Sequence, residues 1–416
     1  MKQSKLAVKT RKEFSSKAFN ISHKWLERSG FITQHSAGVY HYGHFMTKTI
    51  NNIEGLMNKH LEKIGATQVQ LSLLQSTELW KQSGRFDLYQ GENSGAMFTT
   101  KSREDNLFTL AASAEEVATE YIKSCDFTAK NFALNNNNVT IFQHGIKLRD
   151  EIRAAGGVLR TKEFKMMDAY SFSLTEEDMK NAYNDTKKAL SDFLDELGLE
   201  YSFVKADNGD MGGSISEELM VFTEIGDDII WTDESGQSAN EEVADKINWV
   251  GNIKKRKALE VGHIFQLGTN YSEKFDLTWD SSEGKKILHM GCYGIGTSRL
   301  IAAYIEKNND EYGMIFDKSI SAYKVHILKV GKSEEMEKIL SNLISKLEQF
   351  NVSYLIDDRK VRAGAKFMEA DMFGMTKQIV LGDKVAKENK VEVKDRRTNE
   401  RILFDIEDFE LIKNII

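Results

Sequence analysis

No proline occurs anywhere in the 416 residues, although ordinary usage of about 5% predicts roughly 20 in a chain of this length. That absence excludes collagen-like and polyproline structure. With no X-Pro bond, the usual slow isomerisation step of folding disappears as well. The 29 glycines are no more than the ordinary share of about 7%, so turns must rest mainly on Ser, Ala, Thr and Asn. Only two cysteines are present, Cys125 and Cys292; they are too few for a disulfide framework and point to a reducing compartment. No apolar run reaches the roughly 18 residues of a membrane span, and the basic N-terminus MKQSKLAVKTRKEF leads into no apolar signal region. These absences predict a soluble, cytoplasmic protein without membrane contact. A formal net charge of −7, from 56 basic and 63 acidic side chains, gives no global signal for nucleic acid while leaving room for a locally basic face.

What is present is ordinary globular material. With 41% hydrophobic and 29% charged residues, the chain falls outside the disordered and fibrous classes, and its length suits about two to four domains. Apolar spacing predicts helices over 16–30 and 45–64, the second ended by Gly65. Strand-like segments follow at 69–80 and 107–112, and a helix at 114–124. A polar, glycine-bearing stretch before Glu104 reads as a hairpin or loop. The segments 138–152 and 158–172 read as an antiparallel pair broken by Ala154-Ala155-Gly156-Gly157. A helix to Leu197 follows, with Ser173 or Thr175 as its cap. Further strands are expected at 201–207, 218–225 and 258–272, and a strand, glycine-rich turn and helix over 286–308. The charged tract 233–257, with some helical character, reads as a linker or surface excursion. Several antiparallel strands in one domain predict an α+β fold for residues 1–320. From 321 the period changes to strand–helix alternation: strands at 323–330, 352–358, 377–383 and 390–396, helices at 333–350 and 364–374, and a last helix over 406–416. This predicts a separate α/β domain, 321–416.

Several polar constellations stand out. On a strand, Arg149 and Glu151 share a face because side chains repeat every second residue. With Arg153 and Arg160 nearby, they form either ion pairs on a solvated sheet face or a bidentate phosphate clamp beside a carboxylate. GCYGIGTSR (291–299) places glycines ahead of a helix and Arg299 near its start. That suits a phosphate site at a helix N-terminus or close strand–helix packing, and it lacks the context of a dinucleotide fold. Glu115 and Glu116 open a helix with Ser113 as a possible cap; they serve either as routine capping acids or as receptors for an amino group. His263 and Cys292 either line a pocket or fill the core. The other histidines lack zinc spacing, and no metal-ligand set is expected in the protein.

In their order, SGRFDLY (83–89), LRDEIR (148–153), VLRTKEFKMMDAYSF (158–172), ADNGDMGGSISEE (206–218), LEVGHIFQLGTNYS (259–272), GCYGIGTSRL (291–300) and DDRKVRAGAKFMEAD (357–371) closely resemble the bacterial prolyl-tRNA synthetases over nearly the whole chain. The resemblance implies a class II catalytic domain on an antiparallel sheet, followed by an α/β anticodon-binding domain from about 321, in a homodimer. It places the dimerisation motif around 65–80. Arg149 and Glu151 fall on the motif 2 pair and Arg299 on the motif 3 arginine, the implied catalytic residues. Arg149, Glu151, Arg160 and Arg299 would bind ATP, with Mg²⁺ held through the ATP phosphates. Ser113, Glu115, His263 and Cys292 would receive L-proline, and tRNA(Pro) would be the acceptor. The chain departs from the family where Ala111-Ala112-Ser113 replaces Gly-Pro-Thr, where Ala154-Ala155-Gly156-Gly157 replaces Pro-Arg-Phe-Gly, where Ser72 replaces a motif 1 proline, and at Met167, a position usually basic. The tract 233–257 is too short for an editing insertion, so the resemblance is to the compact form. Proline is missing even from those motif positions, which implies a deliberately proline-free version of the enzyme, with activity weakened around the pocket and motif 2 loop. Two other readings remain: an adenylate-forming paralogue that does not use tRNA, and a folded RNA-binding protein whose site has decayed.

Overall fold

The structure, a computed structural model, describes residues 1–90, 97–207 and 209–408. It divides into two compact units: one comprises Ser36–Val39 and Glu54–Ala303, the other Met1–His35, Tyr40–Ile53 and Tyr304–Ile416. The fold is α+β. No helix among the described residues is long and apolar enough to cross a membrane.

The first unit is organised by a nine-stranded sheet. Its strands are β1 (Thr67–Gln68), β2 (Asn138–Leu148), β3 (Glu163–Ser173), β4 (Tyr201–Lys205), β5 (Ile215–Phe222), β6 (Asp228–Thr232), β7 (Ser238–Asn240), β8 (Lys254–Gly268) and β9 (His289–Ile295). They lie in the order β5-β4-β7-β6-β8-β9-β3-β2-β1, with β5 also pairing β8. The central ladders are antiparallel; β1 and β2 run parallel at one edge. Helix α1 (Glu115–Ser124) contributes Val117, Ala118 and Ile122 to a core shared with Tyr170, Phe172, Phe265 and Met290. Helix α2 (Glu176–Glu196) buries Met179, Ala182, Tyr183, Thr186, Leu190 and Phe193, the spacing of one helical face. Thr175 is its cap, accepting the Asp178 N–H at 3.1 Å, and three acidic residues fill its first turn.

Two regions differ from the sequence reading in ways that matter for the site. The strand expected over 138–152 ends at Leu148, and its partner begins only at Glu163. Arg149, Glu151 and Arg160 therefore sit on the connecting loop, and strand alternation does not govern them. Gly156 and Gly157 both have left-handed backbone, φ 72° and 68°, a conformation that disfavours other residues. The charged tract 233–257 is not a simple excursion: it supplies β7, a short 3-10 helix at Glu241–Lys246 and the first residues of β8.

The second unit carries a five-stranded sheet in the order Tyr354–Asp357, Val325–Lys329, Lys377–Leu381, Lys390–Asp395 and Arg401–Asp405. The first three strands are parallel and the last two antiparallel. Helices Glu334–Gln349 and Ala363–Phe373 match the predicted alternation closely, because Ser333 caps the first, accepting the Met336 N–H at 3.3 Å, and Gly374 ends the second with φ 70°. The edge strand Arg401–Asp405 was not anticipated, and residues 406–408 form a turn rather than the start of a helix. The remainder of that expected helix, 409–416, lies outside the described residues, as does part of the stretch read as a hairpin or loop (91–96).

Candidate active site

Antiparallel pairing puts residues far apart in sequence side by side. His263 on β8 faces Gly294 on β9, Gly294 faces Asp168 on β3, and Asp168 faces Gln143 on β2. One row further along, Phe265, Cys292, Tyr170 and Ile141 stand opposite one another in the same way. Directly paired residues share a face, so both rows form one floor. Above that floor is a cavity of about 270 Å³. Gly294 leaves the floor open: an added Cβ would stand 3.6 Å from Met166 Sδ.

Every site residue expected from the sequence lines this cavity: Ser113, Glu115, Arg149, Glu151, Arg160, His263, Cys292 and Arg299. Arg299, on helix Thr297–Lys307, is fixed by the Leu159 carbonyl at 2.8 Å and by Glu260, whose carbonyl accepts at 2.9 Å and whose Oε2 lies 3.3 Å away. Arg149 donates from Nε to the Ala112 carbonyl at 3.0 Å and lies 5.4 Å from the centre of the Phe164 ring; its two Nη atoms make no hydrogen bond to the described residues. Glu151 accepts the Arg153 N–H at 2.8 Å. Arg160 is more peripheral, with an exposed ion pair to Asp227 at 3.7 Å. The helix starting at Glu115 has Ala114 as its N-cap without a side-chain cap bond, so Ser113 does not cap it.

At the other end of the cavity, Cys292 Sγ lies 3.1 Å from Glu115 Oε1. Burial pushes the Glu115 carboxyl up, but the Arg85 guanidinium and the Cys292 thiol outweigh it and hold Glu115 below the ordinary carboxylate range. Burial and the Glu115 charge push the Cys292 thiol well up. His263 stacks on Phe265 with centroids 4.1 Å apart and shares a hydrogen bond of 2.6 Å with Ser216.

Several lining residues were not singled out from the sequence. Lys147, Asp168 and Tyr170 form a buried polar group, in which Asp168 Oδ2 accepts from Lys147 Nζ at 2.9 Å, Tyr170 OH at 2.8 Å and Gln143 Nε2 at 2.8 Å. Asp168 Oδ1 has no partner among the described residues. The period-two placement of Met166, Asp168 and Tyr170 was the available signal. Glu218, Glu260 and His263 bring three potential ligand atoms within 4.8 Å of one another, whereas no protein ligand for a metal was expected. The two carboxylates suit a hard, oxygen-seeking cation such as Mg²⁺.

Residues 98–308 match the family described as tRNA synthetase class II core domain (G, H, P, S and T), and residues 324–413 match the anticodon binding domain. The proline–tRNA ligase of Rickettsia bellii is 34% identical over 99% of this chain and 97% of its own. That of Rickettsia prowazekii is 34% identical over 97% and 95%. Among solved structures, Giardia lamblia prolyl-tRNA synthetase in complex with prolyl-adenylate superposes with a TM-score of 0.77 at 16% identity, covering 94% of this chain and 77% of that one. Cryptosporidium parvum prolyl-tRNA synthetase complexed with halofuginone and AMPPNP gives 0.76 at 16%, covering 95% and 74%.

Proposed function

Because the chain belongs to the proline–tRNA ligases, class II aminoacyl-tRNA synthetases, we propose that it activates L-proline with ATP and transfers the prolyl group to tRNA(Pro). The observation that carries this reading is the single cavity that gathers a carboxylate–hydroxyl pair, Glu115 and Ser113, at one end and the guanidinium groups of Arg149 and Arg299 at the other. The first pair suits a secondary ammonium, with Cys292 and His263 shaping the space for its ring. The arginines suit phosphate oxygens.

The proline carboxylate attacks the α-phosphorus of ATP and the bond to the leaving pyrophosphate breaks; the terminal ribose hydroxyl of tRNA then attacks the prolyl carbonyl of the mixed anhydride, the ester bond forms, the bond to AMP breaks, and the hydroxyl proton is lost with the departing AMP or to solvent. Arg149 faces the α-phosphate, Arg299 the outer phosphates, and Glu151 and Arg160 the nucleotide. The arginines stabilise charge that grows on the oxygens, so the chain needs no nucleophile of its own. Glu218 and Glu260 are the residues that would hold Mg²⁺ alongside the ATP phosphates, and the ion when bound would neutralise phosphate charge.

Residues 1–320 are assigned the catalytic role and 321–416 the anticodon-binding role. A homodimer is supported by the exposed Leu73, Leu74 and Ile146 beside the edge strand β1. Work in the cytoplasm is supported by the two free cysteines. With no editing insertion, the chain is not expected to hydrolyse alanyl-tRNA(Pro). We read the lack of proline as a designed property that weakens the enzyme. Restoring Ser72→Pro, Ala112→Pro and Ala154→Pro together is expected to raise its rate, and an unchanged or lower rate opposes that reading.

Proline-dependent ATP–pyrophosphate exchange followed by charging of tRNA(Pro) tests the function. Both are expected. Exchange without charging identifies a paralogue that does not use tRNA, and loss of both identifies a decayed RNA-binding protein.

A further inference from the structure

Arg85 supports the cavity wall from behind. It is 3% exposed and does not itself line the cavity, yet it touches four residues that do. Its Nη1 donates to Glu115 Oε2 at 2.9 Å, and its Nη2 to Tyr89 OH at 2.8 Å, Met211 Sδ at 3.2 Å and Ser113 Oγ at 3.4 Å. The same Nη1 is shared with Glu116, at 3.1 and 3.2 Å from its two oxygens. Glu116 is fully buried, does not line the cavity, and lies 2.7 Å from Ser83 Oγ. Both its oxygens meet the Arg85 guanidinium, while the Ser83 hydroxyl is shared with the Trp80 carbonyl at 2.9 Å; the charge of Arg85 favours the ionised carboxylate.

One guanidinium thus serves two carboxylates, of which only Glu115 meets the cavity. One positive and two negative charges leave the wall with a net charge of −1. Were Glu116 absent, Arg85 would neutralise Glu115 alone, and a secondary ammonium would enter an uncharged wall. Were Arg85 absent, two carboxylates would be buried together without a counter-ion, which is costly.

We propose that Arg85 and Glu116 are a positioning pair, in which Arg85 fixes Ser113 and Glu115 while Glu116 absorbs the charge of Arg85, so that the wall keeps one net negative charge for the secondary ammonium of the substrate. The proposal rests on reading this cavity as the proline site. The groups facing Glu116 are Arg85, Glu115 and Ser83, with Tyr89, Tyr271 and Cys292 around them. Burial pushes Glu116 up against the pull of Arg85, and repulsion from Glu115 adds to the rise; Glu115 is held low. On acidification Glu116 takes a proton before Glu115, and the wall loses its net charge while Glu115 is still ionised.

The test is proline-dependent ATP–pyrophosphate exchange across a pH series with the full-length chain. Glu116→Gln is expected to raise KM for proline roughly tenfold, leave KM for ATP unchanged, and abolish the acid-side rise in the proline KM of the unaltered chain. Adding Arg85→Met to Glu116→Gln restores the net charge of −1 and is expected to bring KM for proline back down. A residue pair serving only the fold would make the double variant worse. A Glu116→Gln chain whose proline KM stays within about twofold of the unaltered chain overturns the proposal by itself, whether or not the double variant folds. If the unaltered chain shows no proline-dependent exchange, the reading of the cavity fails first.

Discussion

Cys292 Sγ and Glu115 Oε1 are 3.1 Å apart, with both side chains buried, and the thiol is the donor. Because burial and the neighbouring carboxylate push that thiol well above its ordinary range, it stays protonated at neutral pH. A thiol that does not ionise is a poor nucleophile. Native alkylation at about pH 8 is therefore expected to modify Cys125, which is half-buried, and to spare Cys292 until the chain is unfolded. Peptide mapping by mass spectrometry checks this, and fast modification of Cys292 in the native chain would contradict it. Cys292→Ser, which keeps a donor, is expected to leave KM for proline nearly unchanged, while Cys292→Ala raises it a few-fold.

The two arginines at the far end of the cavity differ from Arg160 in how they are held. Arg149 and Arg299 are anchored by the carbonyls of Ala112, Leu159 and Glu260, whereas Arg160 is exposed beside Asp227. Preorganised donors are the ones that count in a transition state. Arg149→Ala and Arg299→Ala are each expected to lower kcat for pyrophosphate exchange by about 10² to 10³, and Arg160→Ala by no more than a few-fold. Steady-state kinetics in both substrates checks the order, and an Arg160 effect equal to that of Arg149 would refute it.

The C-terminal alternation up to Asp395 was legible because its main helices and strands carry their own local signals, whereas the edge strand Arg401–Asp405 does not. Ser333 at one helix start and Gly374 at another helix end are local, and the chain obeys them. The nine-stranded sheet was legible as antiparallel strands but not in its order, since pairing of β5 with β8 or of β9 with β3 is fixed by tertiary contact. The strand assigned to 138–152 ran too long because Arg149-Asp150-Glu151 alternates like a strand, although pairing with the partner strand ends after the bond from the Arg149 N–H to the Lys162 carbonyl at 2.8 Å and Glu151 instead accepts the Arg153 N–H. The residues that recognisable motifs carry all line the one cavity. Asp168 and Lys147, which meet across the β2–β3 ladder, and Arg85, a charge partner behind the wall, were not singled out, because strand alternation gives the face of a residue but not its neighbour on the next strand.

Lack of proline leaves stability unclaimed at positions that would accept it. Glu334 is the first residue of helix Glu334–Gln349, where the N–H has no acceptor within the helix. The residue before it, Ser333, is extended with φ −70° and ψ 158°, as a following proline requires. Glu335 and Glu337 keep the first turn acidic. Glu334→Pro is expected to stabilise the chain by about 0.4 to 1 kcal/mol, chiefly by restricting the unfolded state. Urea unfolding checks the gain, with Ile339→Pro in the helix interior as the destabilised counterpart.

Acid should weaken the unit that carries His326. This histidine is fully buried; its Nε2 lies 3.0 Å from Gln3 Oε1, and its Nδ1 has no partner among the described residues. Burial pushes it down to about 4, against the attraction of Asp357 and with help from Arg359 and Lys366. In the unfolded chain the ring titrates near 6.5, so between those values the unfolded state binds the extra proton. The contribution of the neutral ring to stability is complete above about pH 6.5, declines as pH falls, and is gone by about pH 4. Its full size is of the order of 3 kcal/mol. His144, also pushed down to about 4 by burial and by Lys165, acts in the same direction in the other unit. Urea midpoints measured from about pH 7 to about pH 4.5 are expected to fall, and His326→Gln, which cannot take up the proton, is expected to flatten the part of that slope belonging to its own unit. A variant with the same slope as the unaltered chain would show that the ring is already protonated or hydrated in the folded state.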